Sequence, residues 1–132
     1  MPRLGKTIDT VDYTDASTFT LALNSVANTI YGGLDLTGVD TLTSNKNLTF
    51  ECAGNFTITS NGKSQGGNDL FYARTGATIS LGDAFSAGTI SFGGAGTFDA
   101  NDKNISATIY DFDTNSLANL IMGNGTWTST YG

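Results

Sequence analysis

Few residues of this 132-residue chain have the types to do chemistry, and their spacing limits what they can do. Asp111-Phe112-Asp113-Thr114-Asn115 puts side-chain oxygens at the first, third and fifth positions of a calcium loop. Ser116 stands where such a loop needs glycine and Met122 where it needs the closing glutamate, so an EF-hand is ruled out and the stretch reads as a polar corner. Gly66-Gly67-Asn68-Asp69-Leu70-Phe71-Tyr72 is similar to one copy of a nonapeptide calcium repeat, but that site is assembled from adjacent copies and the phrase occurs once. No metal or other cofactor is expected. Paired carboxylates for glycoside cleavage would have to combine Glu51, the only glutamate, with an aspartate such as Asp99, Asp102, Asp111 or Asp113. Those aspartates sit at corners and a chain this short is a small platform for a substrate groove, so no catalytic residue is assigned.

Cys52 is the only cysteine and there is no histidine, which excludes an internal disulfide, a histidine-dependent triad and a histidine-ligated zinc site. Cys52 is in phase with Leu48 and Phe50 and reads as a small buried apolar residue. Tyr13, Tyr31, Tyr72, Tyr110 and Tyr131 flank the apolar alternation or fall out of phase with it. Exposed tyrosines suit sugar stacking or subunit contacts, and contacts between subunits are the expectation here.

The elements that position these residues must be mostly strands. Only 14% of residues are charged against 39% hydrophobic, with 17 Gly and one Pro, so solvent is met by Thr, Ser, Asn and Gly rather than by the Glu and Lys of helical surfaces. The net charge of -6 and the scatter of Arg3, Lys6, Lys46, Lys63, Arg74 and Lys103 leave no basic patch for nucleic acid. No apolar run reaches membrane-spanning length, and Met1 to Lys6 lacks the apolar core of a signal peptide, so neither membrane insertion nor export by a signal of its own is expected.

Residues 1–14 read as an N-terminal arm, with a peripheral strand as the alternative, and 15–132 as a single β-rich domain. Asp15 to Asn28 admits a short capping helix, with Phe19, Leu23, Val26 and Ala27 on one side, or a strand in which Phe19, Leu21 and Leu23 alternate. The helix is the expectation. From Thr29 to Thr130 the period is two, in twelve short runs whose inward residues include Leu48, Phe50, Ile58, Phe71, Ile79, Leu81, Ile90, Phe92, Phe98, Ile105, Ile109 and Trp127. Gly- and Asn-rich corners separate the runs. Short strands, few two-residue hairpin turns and a recurring "Gly, any, apolar, polar" phrase predict a single-stranded β-solenoid with coils of roughly 20 to 30 residues. The alternative is an antiparallel β-sandwich or jelly roll.

One resemblance adds to this. Gly96-Thr97-Phe98-Asp99-Ala100-Asn101, then Asn104-Ile105-Ser106, then Gly123-Asn124-Gly125-Thr126-Trp127-Thr128 resembles a module of β-helix-type structural proteins of tailed bacteriophages, GTFDANGxNV followed by LGSGTWTLTG. It covers about 35 residues well and 15–60 loosely; Lys103 stands where the family often has Gly, and Met122 where it often has Leu. The resemblance implies a non-enzymatic virion protein, a capsid decoration or fibre component. Such a protein would be assembled in the host cytoplasm and dock on other virion proteins as a homo-oligomer. A tail-fibre module that binds or cleaves host-surface glycans and a bacterial surface adhesin are the alternatives.

Overall fold

Apolar side chains at every second position, interleaved with Thr and Ser, favour extended backbone, and Gly or Asn ends nearly every run within a few residues. The computed structural model describes residues 11–12, 20–23, 28–44, 47–64, 66–112 and 118–131. These residues form fourteen strands: β1 (Val11–Asp12), β2 (Thr20–Leu23), β3 (Asn28–Ile30), β4 (Leu34–Asp35), β5 (Thr41–Ser44), β6 (Leu48–Cys52), β7 (Phe56–Thr59), β8 (Asn68–Ala73), β9 (Thr78–Leu81), β10 (Phe85–Gly93), β11 (Thr97–Asp99), β12 (Ile105–Phe112), β13 (Asn119–Ile121) and β14 (Trp127–Ser129). Every ladder between them is parallel. That excludes the antiparallel sandwich and establishes the β-solenoid, wound through about four turns.

One sheet runs β14-β12-β10-β8-β6-β3, a second runs β1-β4-β7-β9-β11-β13, and β2 pairs with β5. Partners lie between 19 residues (Ile79 with Phe98) and 24 residues (Leu34 with Ile58) apart, so each coil is about as long as expected but no two need match. The winding has three faces. The first carries β3, β6, β8 and the C-terminal halves of β10 and β12; the second is the β1 to β13 sheet. The third carries β2 and β5, the Ser64–Ser86 bridge, the N-terminal halves of β10 and β12, and β14.

Two expectations are corrected here. The capping helix over 15–28 is replaced, where the chain is described, by strands: Thr20–Leu23 pairs with Thr41–Ser44, and Asn28 opens β3. Four residues of matching ladder satisfy the backbone groups that a helix would otherwise satisfy internally, and Thr20, Leu21 and Leu23 suit the extended form. Residues 15–19 and 24–27 lie outside the described residues. Of the proposed arm, Val11–Asp12 is a strand paired with Leu34–Asp35, and the rest lies outside the described residues.

The second correction is Ile109, expected inside and found 44% exposed. β10 and β12 turn from the third face to the first without leaving the strand, and the turn shifts the alternation by one residue. Inward positions run Phe85, Ala87, then Ile90 and Phe92; in the next coil they run Ile105, Ala107, then Tyr110 and Phe112. Ile109 is thus turned outward and Tyr110 inward, where its hydroxyl lies 3.0 Å from the carbonyls of Ile105 and Thr128.

Inside, like side chains stack coil upon coil. Phe50, Phe71, Phe92 and Phe112 are successive ladder partners with ring centroids 5.2, 5.8 and 5.3 Å apart. Such stacking stabilises by about 0.5–1.5 kcal/mol per pair beyond burial itself. Corners are held by polar side chains acting across coils: Asn55, Asn104 and Asn47 each accept the backbone N–H of Thr78, Thr126 and Asn68 through Oδ1.

The corner after β10 leaves no room for a side chain. A Cβ on Gly96 would stand 2.3 Å from the Arg74 carbonyl oxygen and 2.6 Å from that of Ala77. Gly96→Ala is therefore expected to destabilise the fold by about 1–3 kcal/mol, whereas Gly54→Ala, which meets nothing within 4 Å, leaves stability nearly unchanged. Urea midpoints of the two variants check this; equal midpoints would contradict the packing argument.

Candidate functional site

Outward side chains on the first face line up as regularly as inward ones. Glu51 pairs in register with Tyr72 and Tyr72 with Gly93, and Tyr31 follows Ile30, the partner of Phe50, so Tyr31, Glu51, Tyr72 and Gly93 form one outward column. Gly93 gives the column its shape: a Cβ there would stand 3.3 Å from Cδ2 of Tyr72, so the phenol ring lies against bare backbone. Tyr31 and Tyr72 are 39% and 37% exposed.

Arg74 closes the arrangement. Its backbone N–H donates to the Cys52 carbonyl at 3.0 Å, and its side chain turns back one coil to Glu51, with Nε 2.9 Å from Oε1 and Nη2 also on Oε1. The hydrogen bond to Glu51 and then its charge raise the Arg74 pKa, with Tyr31 and Tyr72 contributing in the same sense. The guanidinium is mostly exposed, so the pair adds little stability and serves to hold two side chains in place. A shallow groove of about 520 Å³ runs here, lined by Thr49, Glu51, Leu70, Tyr72, Arg74 and Ala95 among others.

The candidate acids are not gathered into a pair. Glu51 is on the first face and Asp99 on the second, where its Oδ1 accepts the Asn101 N–H. Asp102 sits in the following corner at a φ of 59° and accepts the N–H and the side-chain amide of Asn124. Asp111 points outward near the end of β12, and Asp113 and Asn115, the other members of the calcium spacing, lie outside the described residues. Among the described residues no three His, Cys, Asp or Glu side chains are grouped as a metal site. Cys52 is buried as a core residue and burial pushes its thiol up. Tyr131 is exposed, Tyr110 belongs to the interior, and Tyr13 lies outside the described residues.

Two features escaped sequence reasoning. The contact of Arg74 with Glu51 joins residues on neighbouring coils, and nothing local signals it. Asp69 is only 1% exposed, facing inward between Leu48 and Ile90, with Oδ1 accepting the Leu48 N–H at 3.1 Å and Oδ2 without a partner. Its burial could have been read from its phase with Phe71 and Ala73, two and four residues on. Desolvation, opposed by the Leu48 hydrogen bond, pushes its carboxyl up to about 7.

No family model, curated protein or solved structure matches the chain. Among the described residues no helix is long and apolar enough to cross a membrane.

Proposed function

We propose that this chain is a non-enzymatic structural component of a phage virion, a short rigid solenoid that decorates the capsid or forms part of a fibre by docking on other virion proteins. The phage assignment rests on the sequence phrases at Gly96 to Ser106 and Gly123 to Thr128. The observation that supports docking is a change in the outward rows. On the second face the row reads Thr57, Ser80, Asp99, then Ile121; along the first face Asn68 and Thr89 are followed by Ile109. Rows that are polar in the preceding coils become apolar in the last, and Ile109, Ile121 and Met122 are each more than 40% exposed. Apolar side chains replacing polar ones in these rows on the last coil mark a contact surface.

Mass analysis of purified particles tests the reading. The chain is expected in the particle at a copy number that follows capsid or tail symmetry. An Ile109→Lys, Ile121→Lys variant should fold but incorporate poorly. A chain absent from particles and monomeric in solution would sink the proposal.

A further inference from the structure

The tyrosine column on the first face is a different surface from the apolar last coil, and its chemistry differs. Tyr31, one residue past the end of β3, and Tyr72 on β8 flank Glu51 on strands two ladder spacings apart, about 10 Å. Glu51 lies between them in the column, and both of its contacts with Arg74 fall on Oε1, so Oε2 remains an acceptor while the rest of the guanidinium remains a donor. We propose that this groove, lined by Tyr72, together with the exposed Tyr31 beside it, binds an extended neutral oligosaccharide, one pyranose ring stacked on each tyrosine and the hydroxyls between them hydrogen-bonded to Glu51 and Arg74.

Each competing ligand fails on something the site shows. A peptide adding to the sheet needs a free strand edge, but β6 is paired with β3 and β8, and β8 with β6 and β10. Nucleic acid could stack on the tyrosines, yet its phosphates would meet a chain of net charge -6 in which Arg74, the cation lining the groove among the described residues, is already paired with Glu51. The same charge balance disfavours uronates and sialic acids. A neutral sugar has the two things the site offers partners for, apolar ring faces and hydroxyls that both donate and accept. Because Arg74 and Glu51 hold each other, the polar groups are positioned before the ligand arrives, which lowers the ordering cost of binding.

The inference stands independently of the virion reading. Its test is calorimetric titration of the full chain with glucan, mannan and galactan oligosaccharides, and with oligogalacturonate and sialyllactose as acidic counterparts. Saturable binding is expected for at least one neutral member. Tyr31→Ala and Tyr72→Ala should each weaken it about tenfold, Tyr72→Phe should retain it, and Tyr131→Ala, away from the groove, should leave it unchanged. Should Tyr72→Ala misfold against the bare Gly93 backbone, Tyr31→Ala decides. Absence of saturable binding to every neutral member, binding of acidic members alone, or binding indifferent to both tyrosines overturns the proposal.

Discussion

Raising the pH from about 4 to about 8 should remove on the order of 4 kcal/mol of stability through one side chain, Asp69. In the folded protein its carboxyl is pushed up to about 7 from an ordinary 3.8, chiefly by desolvation. Between those values the folded state keeps a proton that the unfolded chain has released. The stabilisation is complete below the unfolded value, declines through the window, and is gone once the pH passes the folded value. No charged side chain contributes to the shift, so the cost of ionising Asp69 above neutrality is that of a carboxylate set between Leu48 and Ile90 with one backbone donor. Asp69→Asn keeps an acceptor for Leu48 and cannot ionise, so its urea midpoint should fall far less with rising pH than the wild type's. The other carboxylates are common to both proteins and cancel in the comparison. Parallel pH profiles for the two would show that Asp69 does not stay protonated in the fold.

Phe92→Ala should cost about 3–5 kcal/mol, a large share of the stability a domain of this size has to lose. Phe92 is fully buried at the centre of the ring stack, with centroids 4.8 Å from Phe98, 5.3 Å from Phe112, 5.7 Å from Trp127 and 5.8 Å from Phe71. Rings above, below and beside it are held by parallel ladders and cannot all close on the cavity. Trp127, the only tryptophan, stacks on Phe92, so its emission reads both the unfolding midpoint and the local packing. Phe112→Ala, in the same row but 43% exposed, should cost markedly less. Equal losses at the two positions would mean that ring stacking along the row, rather than burial, sets the energy.

Much of the architecture was legible because a coil is written locally. Alternation at Leu48, Phe50 and Cys52, or at Ile79 and Leu81, encodes a strand with one face inside, and Asn101-Asp102, both at positive φ, encodes a corner. Ile109 and Tyr110 were misread because the bend inside β12 costs no turn residue and leaves no mark in the sequence while inverting which residues face in. The strand at Thr20–Leu23 was hidden by a spacing that suits a helix equally well; pairing with Thr41–Ser44 decides between them. For the groove, Tyr31, Glu51 and Tyr72 could each be singled out, but not their common column.

The sequence alone therefore determines the short strands, the Gly and Asn corners, the buried aromatic rows and the polar exterior, since each follows from residues within a few positions of one another. Register belongs to the tertiary structure. Coils of 19 to 24 residues have no common period, and only the closed ladders settle which residue lies over which. That choice sets Arg74 on Glu51, two tyrosines in line, and Asp69 among apolar neighbours, and with it the groove and the pH dependence of the fold.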